Sequence, residues 1–374
     1  MIDKGETVTD FTPVQQERFQ DEQTRYSRPA VLIQIVALAV LAAIPLILPS
    51  FRVMDVVAKI MIFTIVVASY DLILGYTGLL SLGHSMFFGI GAYSLALVIY
   101  HSAEPCWYHL LVAAGVALAL SIVLALVIAF FSLRVKAIFF AMMTLALAEF
   151  TDILAVQWYD LTRAEDGVSF KLPGIFDVGW SGPTLGGIEL NGRFMIYYFI
   201  LLVSVILFLM MVRFIRSPVG RVLKAIRDNE PRATALGYKT FRYQVFSIVF
   251  GSGMASLGGI LFAMWLGYVN PGSTLSTPIM LNILLMVIIG GLGTLYGSII
   301  GAAFIKITET WLPDLQNAAE AIFPNMVILH RLAERWILYF GILFILVVFF
   351  FPRGFVGTAR EMIRRRRAMA RKGR

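Results

Sequence analysis

The chain has 374 residues, 59% of them hydrophobic and only 14% charged, with a formal net charge of +8 and a mean hydropathy of +0.81. Water-soluble domains carry about 25% charged residues, so a soluble globular protein is excluded. Apolar runs recur at about 20 residues, enough to cross roughly 30 Å of hydrocarbon as helix, and the chain reads as an all-α polytopic membrane protein.

In chain order, residues 1–30 form a polar extension of mixed charge without the pattern of a cleaved signal sequence. Val31–Pro49 is longer than a signal h-region and reads as a retained first span. A second span is predicted near 54–75, with Lys59 near one end and Asp71 deeper. An ionisable group in hydrocarbon normally faces a cavity or a partner.

The third span, near 82–100, opens with the glycine-rich run Gly75–Tyr93, GYTGLLSLGHSMFFGIGAY. Glycine in a membrane lets helices approach closely, or lets a helix break and present free backbone groups. Gly78, Ser81, Gly83, His84, Ser85 and Gly89 are therefore candidates for a pore lining or gate. The alternative is a packing surface in which His84 makes one interhelical hydrogen bond.

Spans near 110–133 and 135–156 follow, the latter carrying Glu149 and Asp152. Asp71 and Glu149 suit either a proton-coupled carrier or a structural pair inside the bundle. The loop 157–193 has three basic and five acidic residues, and its length suits either a docking surface or a passive connector.

After a span near 194–214 comes a basic loop, 215–242. Between Arg213 and Arg242 it holds eight Lys/Arg against Asp228 and Glu230. Val219, Val222, Leu223 and Ile226 fall at i, i+3, i+4 and i+7, one apolar helical face open to a partner or to the lipid surface. Ser217 before Pro218 is an N-cap pattern, Pro231 bends or ends this helix, and Gly237 stops a second short one over 232–236.

A span near 243–268 leads to 278–308, which GGLG at Gly290, Gly291 and Gly293 interrupts. The run GGLGTLYGSIIGA faintly echoes the first glycine segment. Two such interrupted helices suggest two pseudo-symmetric halves. The last span, near 335–352, precedes a tail, 353–374, with nine Lys/Arg and one Glu. That tail suits the anionic inner leaflet rather than nucleic acid.

The positive-inside rule puts the 213–242 loop and the tail in the cytoplasm and the 157–193 loop outside. Parity then requires 278–308 to be a pair of short crossings or a re-entrant hairpin. Nine or ten membrane segments with discontinuous helices and two cytoplasmic termini are expected. The single Cys106 cannot form an internal disulfide, and no metal or cofactor is expected. No phosphate loop, HExxH or nucleophile elbow occurs, which leaves membrane-enzyme chemistry without support.

GRVLKAIRDNEPRATALGY (Gly220–Tyr238) resembles the cytoplasmic coupling loop of permease subunits of branched-chain amino acid ABC importers. In that family the loop docks onto a separate ATP-hydrolysing subunit. The Gly75–Tyr93 run, MVIIGGLGTLYGSIIGA (Met286–Ala302) and FPRGFVG (Phe351–Gly357) resemble the same family, in the same order. The resemblance runs from about residue 70 to 357, leaving out the N-terminal extension and the arginine tail.

The resemblance implies a non-enzymatic transport subunit, without an ATPase site of its own, in a bacterial inner membrane. It would move branched-chain or related amino acids by alternating access. Its implied partners are two cytoplasmic ATP-binding subunits, a second homologous permease, an external substrate-binding protein and membrane lipid. ATPase coupling falls to Gly220, Arg221, Ala225, Ile226, Arg227, Asn229, Glu230, Ala235, Leu236 and Gly237. The translocation path or gate falls to Gly78, Ser81, Gly83, His84, Gly89, Glu149, Gly290, Gly291 and Gly293.

Two departures stand out. Glu230 is followed by Pro231, with Gly237 seven residues on, unlike the Glu-Ala-Ala motif of general ABC permeases. Arg163–Ala164 occupies the place of a Gly-Gly pair in many relatives. A urea or short-amide importer permease shares the loop pattern, and a proton-coupled secondary transporter is the alternative from another class.

Overall fold

The structure is a computed structural model that describes residues 28–47, 50–102, 104–132, 137–177, 179–185, 188–322, 341, 345–347, 349–351 and 354–358. Nearly all of the 1–30 extension, most of the predicted 335–352 span and most of the basic tail lie outside the described residues. A first unit, Met1–Ser50, holds α1 (Arg28–Ile47), an apolar helix with Pro45 in its last turn.

The second unit begins with α2 (Phe51–Asp71), which widens into a π-helical turn over Leu72–Tyr76. A non-helical connector leads to α3 (His84–Tyr100), followed by α4 (Trp107–Ser132) and α5 (Ala137–Gln157). The next segment holds a one-turn α6 (Tyr159–Thr162), β1 (Val168–Ser169), β2 (Ser181–Leu185) and β3 (Ile188–Asn191). Then come α7 (Gly192–Arg216), α8 (Pro218–Asp228), α9 (Glu230–Ala235) and α10 (Thr240–Leu266). The series ends with β4 (Tyr268–Val269), α11 (Pro271–Thr274), α12 (Thr277–Gly290) and α13 (Leu295–Ile322).

Among the described residues six segments are long and apolar enough to cross a membrane: Phe51–Tyr76, Trp107–Phe131, Ile138–Gln157, Gly192–Arg216, Thr240–Leu266 and Pro271–Gly290. Leu38–Ile47 and His84–Tyr100 are shorter apolar helices. The fold is therefore predominantly helical and polytopic. It is not purely α, because β1 pairs antiparallel with β4 (Val168 opposite Val269) and β2 pairs with β3. These strands lie in or beside the 157–193 loop, and the two residues of β1 are too short to print a period of two on the sequence.

The centre of the second unit is α2, whose most apolar window is 89% buried, against 28% for α4 and for α5. Helix α13 holds α2 at both ends, and α10 holds it near its start. Arg52 pairs with Asp314 of α13 at 2.5 Å, and Asp71 accepts the Gly293 N–H just before α13 begins, so the two helices run antiparallel. Trp265 Nε1, at the end of α10, donates to Asp55 Oδ1 at 2.8 Å, near the start of α2. Lys59 is not loose at a span end: its Nζ pairs with Asp55 at 2.7 Å, one helical turn away. Lys306 pairs with Glu309 at 2.8 Å and lies over the Phe63 ring at 3.9 Å.

The tightest packing joins α3 and α10. Phe63, Phe88 and Phe262 meet with ring centroids 5.1–5.9 Å apart. Beside them the backbones touch: a Cβ on Gly91 would run into the Ser256 carbonyl, and one on Gly259 into the Phe88 carbonyl. Small residues at a helix crossing allow this approach, and dispersion then supplies the attraction that a hydrophobic effect cannot supply within lipid. Gly259→Val is expected to cost roughly 1–3 kcal/mol by overpacking. It should lower the thermal midpoint of the purified chain in detergent, while Gly115→Ala, which meets nothing within 4 Å, leaves the midpoint unchanged.

Candidate functional site

The basic segment folds largely as its local chemistry dictates. The Ser217 side chain accepts the Gly220 N–H at 3.4 Å, and Pro218 opens α8 at a position where no backbone donor is needed. The break that follows is made at Asn229, two residues before Pro231. Asn229 leaves the helix in extended backbone, and its side chain accepts the Arg232 N–H at 3.0 Å. Pro231 thus sits in the first turn of α9 instead of ending α8. Gln244 Nε2 donates to Glu230 Oε1 at 3.2 Å, tying α9 to the start of α10.

The expectation of an apolar face open to a partner is corrected. Leu223 and Ile226 are buried within the chain, and Val219 and Val222 are half-buried. Gly220 is buried too, against the Ile215 carbonyl. Gly220 and Ile226 therefore position the segment and do not form its outer surface. What faces outward is Arg221, Lys224, Ala225, Arg227 and Asp228 on α8, then Asn229, Glu230, Ala235, Leu236 and Gly237. Leu236 is the apolar exception, 72% exposed.

Arg227, itself exposed, also extends its guanidinium to the backbone of the first break. The π turn after α2 uses the Leu74 and Ile73 carbonyls for the Gly78 and Leu79 N–H groups. The Gly75 carbonyl takes its hydrogen bond from Arg227 Nη1. Lys224 Nζ lies 5.2 Å over the Tyr76 ring, a second cation on the same turn. On the other side of the joint, Asp71 Oδ1 accepts the Gly293 N–H at 2.7 Å. Gly293 has φ +74, and a Cβ there would lie 2.7 Å from Arg227 Nη1 and 3.1 Å from the Gly75 carbonyl. Only glycine meets both demands.

The fourth motif closes the same joint. Gly354 packs on the backbone of Gly291, and Phe355 stands 5.5 Å from Phe304 and 4.8 Å from Phe351. The glycine run, the basic segment, the GGLG break and the FPRGFVG ending, dispersed over about 280 residues of sequence, thus meet in one place.

The remaining path candidates spread out from this joint. Thr77 shares a 2.7 Å hydrogen bond with Ser247 of α10, and the Leu82 N–H donates to Thr144 Oγ1 of α5 at 2.9 Å. The connector carrying Gly78, Ser81 and Gly83 is therefore fastened to both α10 and α5. His84 is fully buried and bonds Ser69 Oγ at 2.8 Å, the interhelical bond of the packing alternative. Gly89 lies against Leu275, and Gly290 against the Gly297 carbonyl across the GGLG break.

Asp71 and Glu149 are not a pair. Thr277 Oγ1, at the start of α12, donates to Glu149 Oε1, whereas Asp71 meets Gly293 just beyond the end of α12. The 14 residues of that helix hold the two carboxylates roughly 20 Å apart.

In the 157–193 loop, Arg163 and Ala164 both adopt positive φ, 58° and 47°, a conformation that costs about 1–2 kcal/mol per non-glycine residue. A Gly-Gly pair would adopt it freely. Here Arg163 Nη2 donates to Tyr100 OH at 2.5 Å and its guanidinium lies 5.5 Å from the ring centre. Sequence reasoning missed this clasp, because nothing near Arg163 points to Tyr100.

A polytopic helical bundle whose broken helices meet a polar loop is the architecture of a membrane permease. Residues 52–348 match the family described as "Branched-chain amino acid transport system / permease component", and the chain belongs to that family. It is 26% identical over 309 residues to the high-affinity branched-chain amino acid transport system permease protein LivM of Escherichia coli, covering 79% of this chain and 72% of that one. It is 25% identical over 257 residues to LivH of the same organism (66% and 80%). To BraD of Pseudomonas aeruginosa it is 27% identical over 197 residues (52% and 56%). No solved structure matches it.

The joint makes a graded prediction. Asp71→Ala leaves the half-buried Gly293 N–H without its acceptor and should cost about 1–3 kcal/mol. Asp71→Asn keeps an acceptor and should cost less. Thermal midpoints of the two variants in detergent check the order, and equal midpoints would show that the charge alone matters.

Proposed function

We propose that this chain is a permease subunit of an ATP-binding-cassette importer that moves branched-chain or related amino acids inward across a bacterial inner membrane. Its energy comes from two separate ATPase subunits docked on α8 and α9. The observation that carries the proposal is the reach of Arg227. One residue of the partner-facing segment is bonded to the Gly75 break and packed on Gly293. A rigid displacement of α8 would therefore act on both broken helices at once, and two packed arrangements of that joint would be two states of a gate.

The remaining architecture follows the charge pattern. Residues 31–352 form the permease body in nine or ten membrane segments arranged as two related halves. The 1–30 and 353–374 extensions are cytoplasmic, and the 157–193 loop faces an external substrate-binding protein. The complex includes a second homologous permease. The separation of Asp71 from Glu149, each with its own hydrogen-bond partner, weighs against a proton relay between them.

The test is co-expression with candidate ATPase subunits, a second permease and a binding protein, followed by co-purification and leucine uptake. Leu236→Asp should weaken ATPase co-purification by at least roughly tenfold, the scale of one interface anchor. Arg227→Ala should leave the complex assembled but slow uptake severely. Uptake that persists without ATPase subunits and collapses with the proton gradient would overturn the proposal.

A further inference from the structure

At the opposite end of α2 from the joint lies a cavity of about 480 Å³, within the range of roughly 300–1,000 Å³ common for small-molecule sites. It is framed by the starts of α2 and α7, the end of α10, and residues 170–172, 176, 177 and 179 of the loop that precedes β2. Two cations, Lys171 and Arg193, and two carboxylates, Asp55 and Asp177, line it.

These charges do not neutralise one another. Asp55 is already engaged by Lys59 at 2.7 Å and by Trp265 Nε1 at 2.8 Å. Neither Lys171 nor Arg193 forms an ion pair within the described residues. The Arg193 guanidinium lies over the Phe51 ring, its central carbon 4.2 Å from the ring centre. Asp177 accepts one N–H, from Gly179 at 3.3 Å, through Oδ1.

The walls between them are apolar. Phe170, Trp265, Met264 and Leu172 line the cavity. Phe176 is fixed from behind by Trp107 at 4.7 Å and Phe199 at 5.1 Å.

We infer that this cavity is a reception site for a free aliphatic α-amino acid zwitterion. Lys171 and Arg193 take the carboxylate, Asp177 takes the ammonium, and the aromatic wall takes the branched side chain. The inference rests on the proposed transport function and deepens it. It gives the permease its own weak, charge-reading pocket at the end of the molecule away from Arg227. The same ammonium-plus-oxyanion chemistry occurs in an ethanolamine phospholipid headgroup, and the experiment separates the two sources.

The full chain, alone in nanodiscs, is titrated with radiolabelled leucine. Saturable binding is expected, with valine competing. Leucinamide, which lacks the carboxylate, and 4-methyl-2-oxopentanoate, which lacks the ammonium, should not compete. Lys171→Met and Asp177→Asn should each weaken binding roughly ten- to a hundredfold, the scale of one charged hydrogen bond. Lys171→Arg should retain it, which separates charge recognition from misfolding.

Equal binding by Lys171→Met, Asp177→Asn and the parent chain would overturn the site. So would displacement of leucine by glycerophosphoethanolamine at equal potency, or the absence of saturable binding. Each of these leaves the transport proposal standing if the assembled complex still takes up leucine. Loss of ATP-dependent uptake by the parent complex would remove the transport proposal itself.

Discussion

A helix that breaks inside a membrane protein frees backbone N–H and C=O groups in a place where water is scarce, and each group left unpaired costs about 1–3 kcal/mol. The two breaks here meet that constraint jointly. The turn after α2 exposes the Gly75 carbonyl, and the end of α12 exposes the Gly293 N–H. Arg227 answers the first and Asp71 the second. Once those bonds are required, much else follows. Residue 293 has to be glycine to fit between Arg227 and Gly75, and α8 must lie with its apolar side inward for Arg227 to reach. The Gly291 turn must also be flat enough for Gly354 to rest on it.

Two other charge pairs within the helices are satisfied locally, whereas Asp152 Oδ1 of α5 is buried without a hydrogen-bond partner among the described residues. Asp55 and Lys59 pair within one turn of α2, and Lys306 and Glu309 within one turn of α13. Asn282 of α12 adds a 3.3 Å hydrogen bond to Glu309. An ionisable side chain in a span thus marks a partner nearby before it marks a transported ion. Glu149, bonded to Thr277, fits that pattern as well.

Much of this was legible in the sequence because it is local. The Ser217–Pro218 cap, the GGLG break, the apolar spacing of α8 and the runs of hydrophobic residues all act over a few positions. Periodicity identified the apolar face of α8 correctly but could not say what covers it, and the cover proved to be the chain itself. Pro231 was assigned the break that Asn229 makes, since either residue can end a helix and only backbone geometry decides. Two features were hidden because they depend on distance in sequence. Nothing in Gly75, Arg227, Gly293 or Gly354 taken singly says that they meet. The pairing of Val168 with Val269 likewise leaves no periodic trace in two residues. The resemblance to a family supplied the list of motifs, and the structure supplied the reason that they occur together.

The convergence of four distant segments has a consequence for biogenesis. Asp71 and Gly75 are synthesised early, Arg227 and Gly293 much later, and Gly354 later still, so the nascent chain holds α2 with its polar carboxylate and bare carbonyl uncovered through most of translation. Contacts of such long sequence separation form slowly. A chain arrested before residue 293 would have its earlier helices inserted and its loops on their proper sides, yet Asp71 would lack the N–H it accepts in the finished joint. Membrane quality control that recognises unpaired polar groups would have, in Asp71, one place to look.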